Sequence, residues 1–325
     1  MFRRAITSTL ALLLLIVSLV SAPVSGASVT GGNGIKLSPI KYNLSINPGS
    51  IKTIVFDVEN VTKTTATYKA VVSDFTADNV NGTPQLIVNS NKYDPYSIKK
   101  FISPIPEFSV KGGQTAQIKV IITIPASTAG GGYFGAIRFL VVNPNTGQTV
   151  NISASVAGLI LLTVPGPALN ENMTLVSFST NQNGSNGGLF YSNKGIVAVA
   201  KFSNNGNVQL APFGKITVKN MNGDTIETKT INNSNPPGNV LPGSEREFSV
   251  PLSNLGTFGK YTVSGYFGYG NKGQLLSAST SFYVVAPWII ILAVVIVLII
   301  LITVFFTPKI FRAWYKRSIR KAKKA

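Results

Sequence analysis

A run of twenty-one residues without a single charge, APWIIILAVVIVLIILITVFF (Ala286 to Phe306), divides this chain into parts that cannot share one solvent. At about 1.5 Å of rise per residue, a helix of that length matches the roughly 30 Å hydrocarbon layer of a bilayer. A buried core helix would be shorter and would carry polar residues. Pro287 and Trp288 stand where the first residue of a helix and an interfacial aromatic belong. The stretch from Lys309 onward is rich in Lys and Arg, and all eleven acids lie between Asp57 and Glu247. By the positive-inside rule the tail is expected in the cytoplasm, with residues 28–285 outside on a single-pass anchor.

The other apolar segment has a different expected fate. MFRRAITSTLALLLLIVSLVSAPVSGAS opens with Arg3 and Arg4, continues through a short apolar core from Leu10 to Val20, and ends in small residues with Ser25 and Ala27 before a cut. That is the build of a secretory signal peptide, the alternative being a retained signal anchor. The tail TPKIFRAWYKRSIRKAKKA sets Ile310, Phe311, Trp314, Tyr315 and Ile319 at helical spacing among basic residues. One reading is a helix on the anionic inner leaflet, with Lys309, Arg312, Trp314, Lys316 and Arg317 as its contacts; the other is a plain topology signal.

Between these segments the chain has no Cys and no His, which removes thiol nucleophiles, the usual zinc sites, imidazole catalysis and disulfides. No cofactor is expected. The net charge of +18 falls to +8 once both ends are set aside, since the middle carries 19 basic against 11 acidic residues, mostly as scattered Lys. A nucleic-acid partner is not expected, because no basic cluster there is interleaved with aromatics.

The exported part reads as strands. Ile54, Phe56 and Val58 alternate, as do Ile118, Val120, Ile122 and Ile124, and turn signals recur every ten or so residues. A second set of strands follows the break at TVPGPALNEN (Thr163–Asn172). In each half a strand ends in Asn (FDVEN, AKFSN), and a Gly precedes a strand ending in Pro (GGQTAQIKVIITIP, PGSEREFSVP). A Gly-containing loop and a Tyr come next, GGGY ending at Tyr133 and FGKY ending at Tyr261. The expected fold is an all-β ectodomain of two tandem immunoglobulin-like β-sandwiches, plus one C-terminal transmembrane α-helix. In residues this gives a signal peptide over 1–27, a linker over 28–36, sandwiches over 37–166 and 167–285, a membrane helix over 286–306 and a cytoplasmic tail over 307–325. Tyr133 and Tyr261 are then tyrosine corners, and Gly131 and Gly132 make the turn rather than cradle a phosphate, which would need a following helix and a Lys.

Residues 37 to about 165 resemble the DUF916 domain of bacterial cell-surface proteins, the WxL-interacting proteins. The resemblance lies in Pro48-Gly49 before a strand, SIKKFI (Ser97–Ile102), and Pro125 followed by Gly131-Gly132-Tyr133. It implies a first domain that binds peptidoglycan and a second that contacts host or partner proteins. It does not extend to a diagnostic motif in the second half.

Few residues invite chemistry. Asp57 and Glu59 share one face of a strand and could suit a glycosidase pair, though two solvated charges are the simpler account. DFTADNVNG (Asp74–Gly82) carries oxygen ligands without a calcium-loop spacing and is expected to close a hairpin. The expected function is therefore a non-enzymatic, membrane-anchored scaffold or adhesin that binds peptidoglycan, another surface polymer or an exported surface protein. Tyr93, Tyr96 and Phe101 are its candidate contact residues, the plainer reading being that these aromatics pack across the sandwich end. The alternatives are a chaperone-like or signalling ectodomain that binds one protein by β-strand addition, and an envelope hydrolase.

Overall fold

The computed structural model describes residues 34–78, 80–87, 94–142 and 155–322, the last stretch as backbone alone beyond 305. The expected signal peptide, Tyr93 and the side chains of Lys309, Arg312, Trp314, Lys316 and Arg317 lie outside this description. The first sandwich is built from β1 (Ile35–Ser38), β2 (Lys41–Ser45), β3 (Ile51–Asn60), β4 (Ala66–Ala77), β5 (Pro84–Ile87), β6 (Phe108–Val110), β7 (Thr115–Thr123), β8 (Gly131–Val142) and β9 (Ser155–Val164). The second comprises β10 (Met173–Gln182), β11 (Ser185–Asn186), β12 (Leu189–Phe190), β13 (Ile196–Asn204), β14 (Phe213–Lys219), β15 (Thr225–Ile231), β16 (Glu245–Pro251), β17 (Phe258–Tyr269) and β18 (Gln274–Val285).

The two halves share one topology. In the first, β1-β3-β7 faces β2-β9-β8-β4-β5; in the second, β10-β13-β16 faces β12-β18-β17-β14-β15. A parallel strand pairing recurs as well, β2 on β9 and β12 on β18. Alternation builds each core: Ile54, Phe56 and Val58 of β3 meet Ile118, Val120 and Ile122 of β7, all buried. Phe202, Phe267 and Phe282 fill the second core. Burying a side chain of this size stabilises the fold by about 1.5–3 kcal/mol.

Both corners form. Tyr133 Oη donates to the Ala129 carbonyl (2.9 Å), and Tyr261 Oη accepts the Gly256 N–H (2.8 Å). Each half also closes its β3 or β13 strand on a fully buried asparagine, Asn60 or Asn204. After β18 the chain enters α1 (Pro287–Ala322), whose stretch Pro287–Phe305 is long and apolar enough to cross a membrane and is nowhere buried against the protein. The helix runs past the apolar segment into the basic tail, so the tail prolongs α1 instead of starting a separate element.

Candidate functional site

The sandwiches meet along the outer face of the β2-β9-β8-β4-β5 sheet. Phe75, Phe134, Ala136 and Leu161, which alternate with inward core residues, close on Leu241 of the second sandwich as a small apolar cluster. That second packing explains why β8 is buried on both faces over Gly131–Ile137. On one side of the cluster the glycine triplet acts as a joint. Gly132 N–H donates to Asn207 O (2.7 Å), Gln209 Nε2 donates to Thr163 Oγ1 (2.9 Å), and Gly130 lies against the backbone of Gly166. The glycines thus serve the Tyr133 corner and also admit the 207–209 loop.

On the other side the β4–β5 hairpin reaches across, and Val80 O accepts the Glu247 N–H (2.8 Å) from the edge of β16. Its tip is held by Asp78. Oδ1 accepts N–H groups from Val80, Asn81 and Gly82, and Oδ2 accepts that of Thr83. These bonds favour the charged form and draw the Asp78 pKa down from 3.8 to about 2. DFTADNVNG is therefore a hairpin closed by its own carboxylate. The contribution of this carboxylate is complete above its unfolded value of 3.8 and is lost as pH falls through about 2. An NMR titration should show the Val80, Asn81 and Gly82 amide shifts moving with a midpoint near that lower value. Asp78→Ala should speed hydrogen exchange at those amides at neutral pH.

A cavity of about 240 Å³ opens between the hairpin, β2 and the 234–239 loop, with Phe75, Leu161 and Leu241 as floor and Lys41 and Arg246 in its wall. Lys41 Nζ donates to Pro237 O (2.8 Å), and Asn239 Nδ2 donates to Asn43 Oδ1 (3.3 Å) across the same gap. Arg246 shares its strand face with the buried Phe248 and Val250, and its guanidinium lies 5.2 Å from the Phe248 ring centre. Gly82 and Gly238 crowd it: a Cβ at either would lie within 2.9 Å of the Arg246 side chain. Nη1 donates to Asn239 O (3.0 Å), whereas Nε is enclosed and has no acceptor among the described residues. Burial, followed by repulsion from Arg246, lowers the Lys41 pKa. Burial lowers that of Arg246, against the pull of Asp78. Two cations over an apolar floor, one with a spare donor, suit an oxyanion attached to an apolar or flat group.

A second cavity, about 270 Å³, flanks Leu241 and is lined by Asp94, Tyr96, Phe134 and Ser244. Tyr96 is 37% exposed there, with its ring 6.3 Å from that of Phe134. Phe101 takes the packing role and not the contact role. It ends a single 3-10 turn (Lys99–Phe101), is only 5% exposed, and packs edge-on against Tyr133 under the Lys100 ammonium. It is a core residue, because the corner tyrosine needs a partner ring. Of the carboxylates Asp57 and Glu59, Glu59 is bridged to Lys36 (3.1 Å), and Asp57 faces Ser38 and Gln117 across its neighbouring strands.

Lys41, Arg246 and Leu241 escaped the sequence reading, since only docking brings residues two hundred positions apart together. One signal was present. Arg246 falls at an inward position of the alternation Arg246, Phe248, Val250, and it is one of just two arginines in residues 28–285.

No protein-family model and no curated protein matches the chain. Among solved structures it is similar to a chaperone–tip adhesin complex of CFA/I fimbriae biogenesis, at 15% identity and TM-score 0.37, over 78% of this chain and 100% of that one. It is similar to the E. coli chaperone DraB at 14% identity and TM-score 0.31, over 77% and 96% of the two chains. The Salmonella enterica SafA pilin in complex with the SafB chaperone gives 13% identity and TM-score 0.33, over 78% and 96%. At such scores the likeness carries no functional information.

Proposed function

We propose that this chain is a non-enzymatic, membrane-anchored cell-surface binding protein that holds an anionic group of its partner in the Lys41–Arg246 cleft, with the sandwiches outside and the basic tail in the cytoplasm. The observation that carries this reading is the enclosed Arg246 Nε, without an acceptor among the described residues, beside a second cation and an apolar floor. A buried donor left unpaired costs about 1–3 kcal/mol, and a bound carboxylate or phosphate would supply the missing acceptor. Peptidoglycan and other wall polymers offer such groups in quantity, so they are the partners this reading puts first, ahead of an exported protein. A place among the WxL-interacting proteins accords with it and is supported by the order of sandwiches, apolar helix and basic tail.

The test is co-sedimentation of the ectodomain with sacculi at low and high salt. Scattered lysines bind wall polymers by screened charge alone, whereas a partly enclosed arginine is shielded from salt. The wild type should stay bound at high salt, and Arg246→Ala should weaken that binding about 10- to 100-fold. Lys215→Ala, on the exposed face of β14, should leave it unchanged. Binding that vanishes at high salt for every variant would reject a wall ligand in the cleft.

One observation favours strand addition by a protein partner. Among the described residues, β7 is an edge strand whose outer side meets only the Ile102–Ser103 segment, at Ile121 and Ile122. A benzophenone placed at Lys119 should then crosslink one dominant exported protein, and a spread of weak products would count against this mode.

A further inference from the structure

The membrane-proximal end of the second sandwich carries an apolar surface that neither core uses. Leu189, Tyr191, Met221, Phe258 and Tyr283 are all exposed, Met221 at 66% and Phe258 at 58%. The strand register gathers them. Phe258 pairs with Val285, Leu189 pairs with Tyr283, Phe190 beside Tyr191 pairs with Val284, and Met221 Sδ lies 3.7 Å from where a Cβ on Gly259 would stand. This is also where α1 leaves. Only Ala286 separates β18 from Pro287; it is buried, and its N–H donates to Thr257 O (2.9 Å). There is no linker. At about 3.3 Å per residue, Tyr283 stands roughly 13 Å along the chain from the first turn of α1, within reach of the headgroup layer.

We infer that this end of the sandwich is seated in the headgroup layer of the bilayer that α1 crosses, so that the ectodomain is held in one orientation instead of swinging on a tether. The inference rests on α1 as a membrane span. Tyr and Trp favour such interfaces because one end of each ring is apolar and the other wet, and exposed Trp288 at the start of α1 continues the same belt. Lys194, Lys219 and Lys260 lie exposed around the apolar residues, while the Asp224 carboxylate of the neighbouring turn is engaged by Asn220. That balance favours phospholipid headgroups over a second apolar protein surface. At the far end of the same sheet, Leu275 is 83% exposed and serves as an internal control.

The chain has no native cysteine, so single-site labelling is direct. Phe258→Cys, Met221→Cys and Leu275→Cys variants of the full chain would each carry an environment-sensitive dye and be reconstituted into phosphatidylcholine–phosphatidylglycerol vesicles. The labels at 258 and 221 should shift to the blue and be quenched by a nitroxide placed near the lipid headgroups, while the label at 275 stays accessible to aqueous iodide. Equal iodide quenching at all three sites, with no lipid quenching at 258 or 221, overturns the inference. Resistance of the protein to alkaline extraction reports the insertion of α1 separately. A failed span is thereby distinguished from a free-swinging ectodomain on an intact one.

Discussion

Replacing Asn204 by leucine is expected to lower the stability of the second sandwich by about 3–5 kcal/mol, although leucine is nearly the same size. Asn204 has no exposed surface, and its amide joins three backbone groups, two of them through buried bonds. Nδ2 donates to Val208 O (2.7 Å) and Val240 O (2.8 Å), and Oδ1 accepts the Gly206 N–H (2.9 Å). Leucine leaves the Val208 carbonyl unpaired and frees the part-buried Gly206 N–H. It also takes one of two donors from Val240 O, which keeps the Leu210 N–H (3.1 Å). An unpaired buried group costs about 1–3 kcal/mol before relaxation. Asn204→Asp should be worse, since it sets a charge against the same two carbonyls. The first sandwich repeats the device. Asn60 Nδ2 donates to Thr64 O and Val110 O, and Oδ1 accepts from Thr62 N–H and Thr62 Oγ1. Asn60→Leu should therefore act alike, and Asn220→Ala, which loses three solvent-exposed turn bonds, should cost about 1 kcal/mol. Urea denaturation followed by circular dichroism reads all four. A loss below 1 kcal/mol for Asn204→Leu would mean that these carbonyls find water after all.

The two asparagines show what a single chain can disclose. FDVEN and AKFSN were visible as the ends of equivalent strands, and the shared topology, the corner tyrosines and the inward alternations of β3 and β7 were equally open to reading. All of these depend on contacts within one sandwich, where hydrophobic period and turn chemistry act over a few tens of residues. Verbatim matches were poorer guides: EFSV recurs in the short β6 and in β16, strands that occupy different places in their sheets. The cleft was not legible, because it exists only once one sandwich docks on the face of another. Lys41 is an ordinary strand lysine until Pro237 and Arg246 arrive. Phe101 shows the converse ambiguity. An aromatic beside two lysines resembles a contact surface, but a corner tyrosine that turns its ring inward needs something to pack against, and Phe101 is that partner.

Because the cleft depends on docking, the strongest test of its role leaves both cations in place and separates the sandwiches. Gly132→Val is expected to do this. A Cβ at Gly132 would lie 2.5 Å from Phe134 Cζ and 3.1 Å from both Gln209 Oε1 and the Val208 Cα. The ring can rotate, but the Val208 backbone cannot yield without withdrawing the 207–209 loop. Withdrawal breaks the Gly132–Asn207 and Gln209–Thr163 bonds and unseats Leu241 from Phe134. Overpacking of this kind costs about 1–3 kcal/mol, and each lost hydrogen bond adds about 0.5–1.5 kcal/mol. A contact between domains that rests on one five-residue apolar cluster and a few hydrogen bonds has little stability to spare against such a sum. The two cores are separate clusters, so each sandwich should keep its own unfolding transition. Small-angle scattering should show a longer ectodomain, and salt-resistant binding should fall as far as it does in Arg246→Ala. Gly188→Ala, where an added Cβ meets nothing within 4 Å, should change neither measurement. If Gly132→Val lengthens the molecule while salt-resistant binding persists, the ligand is held by one sandwich alone, and the convergence of Lys41 with Arg246 plays no part in gripping it.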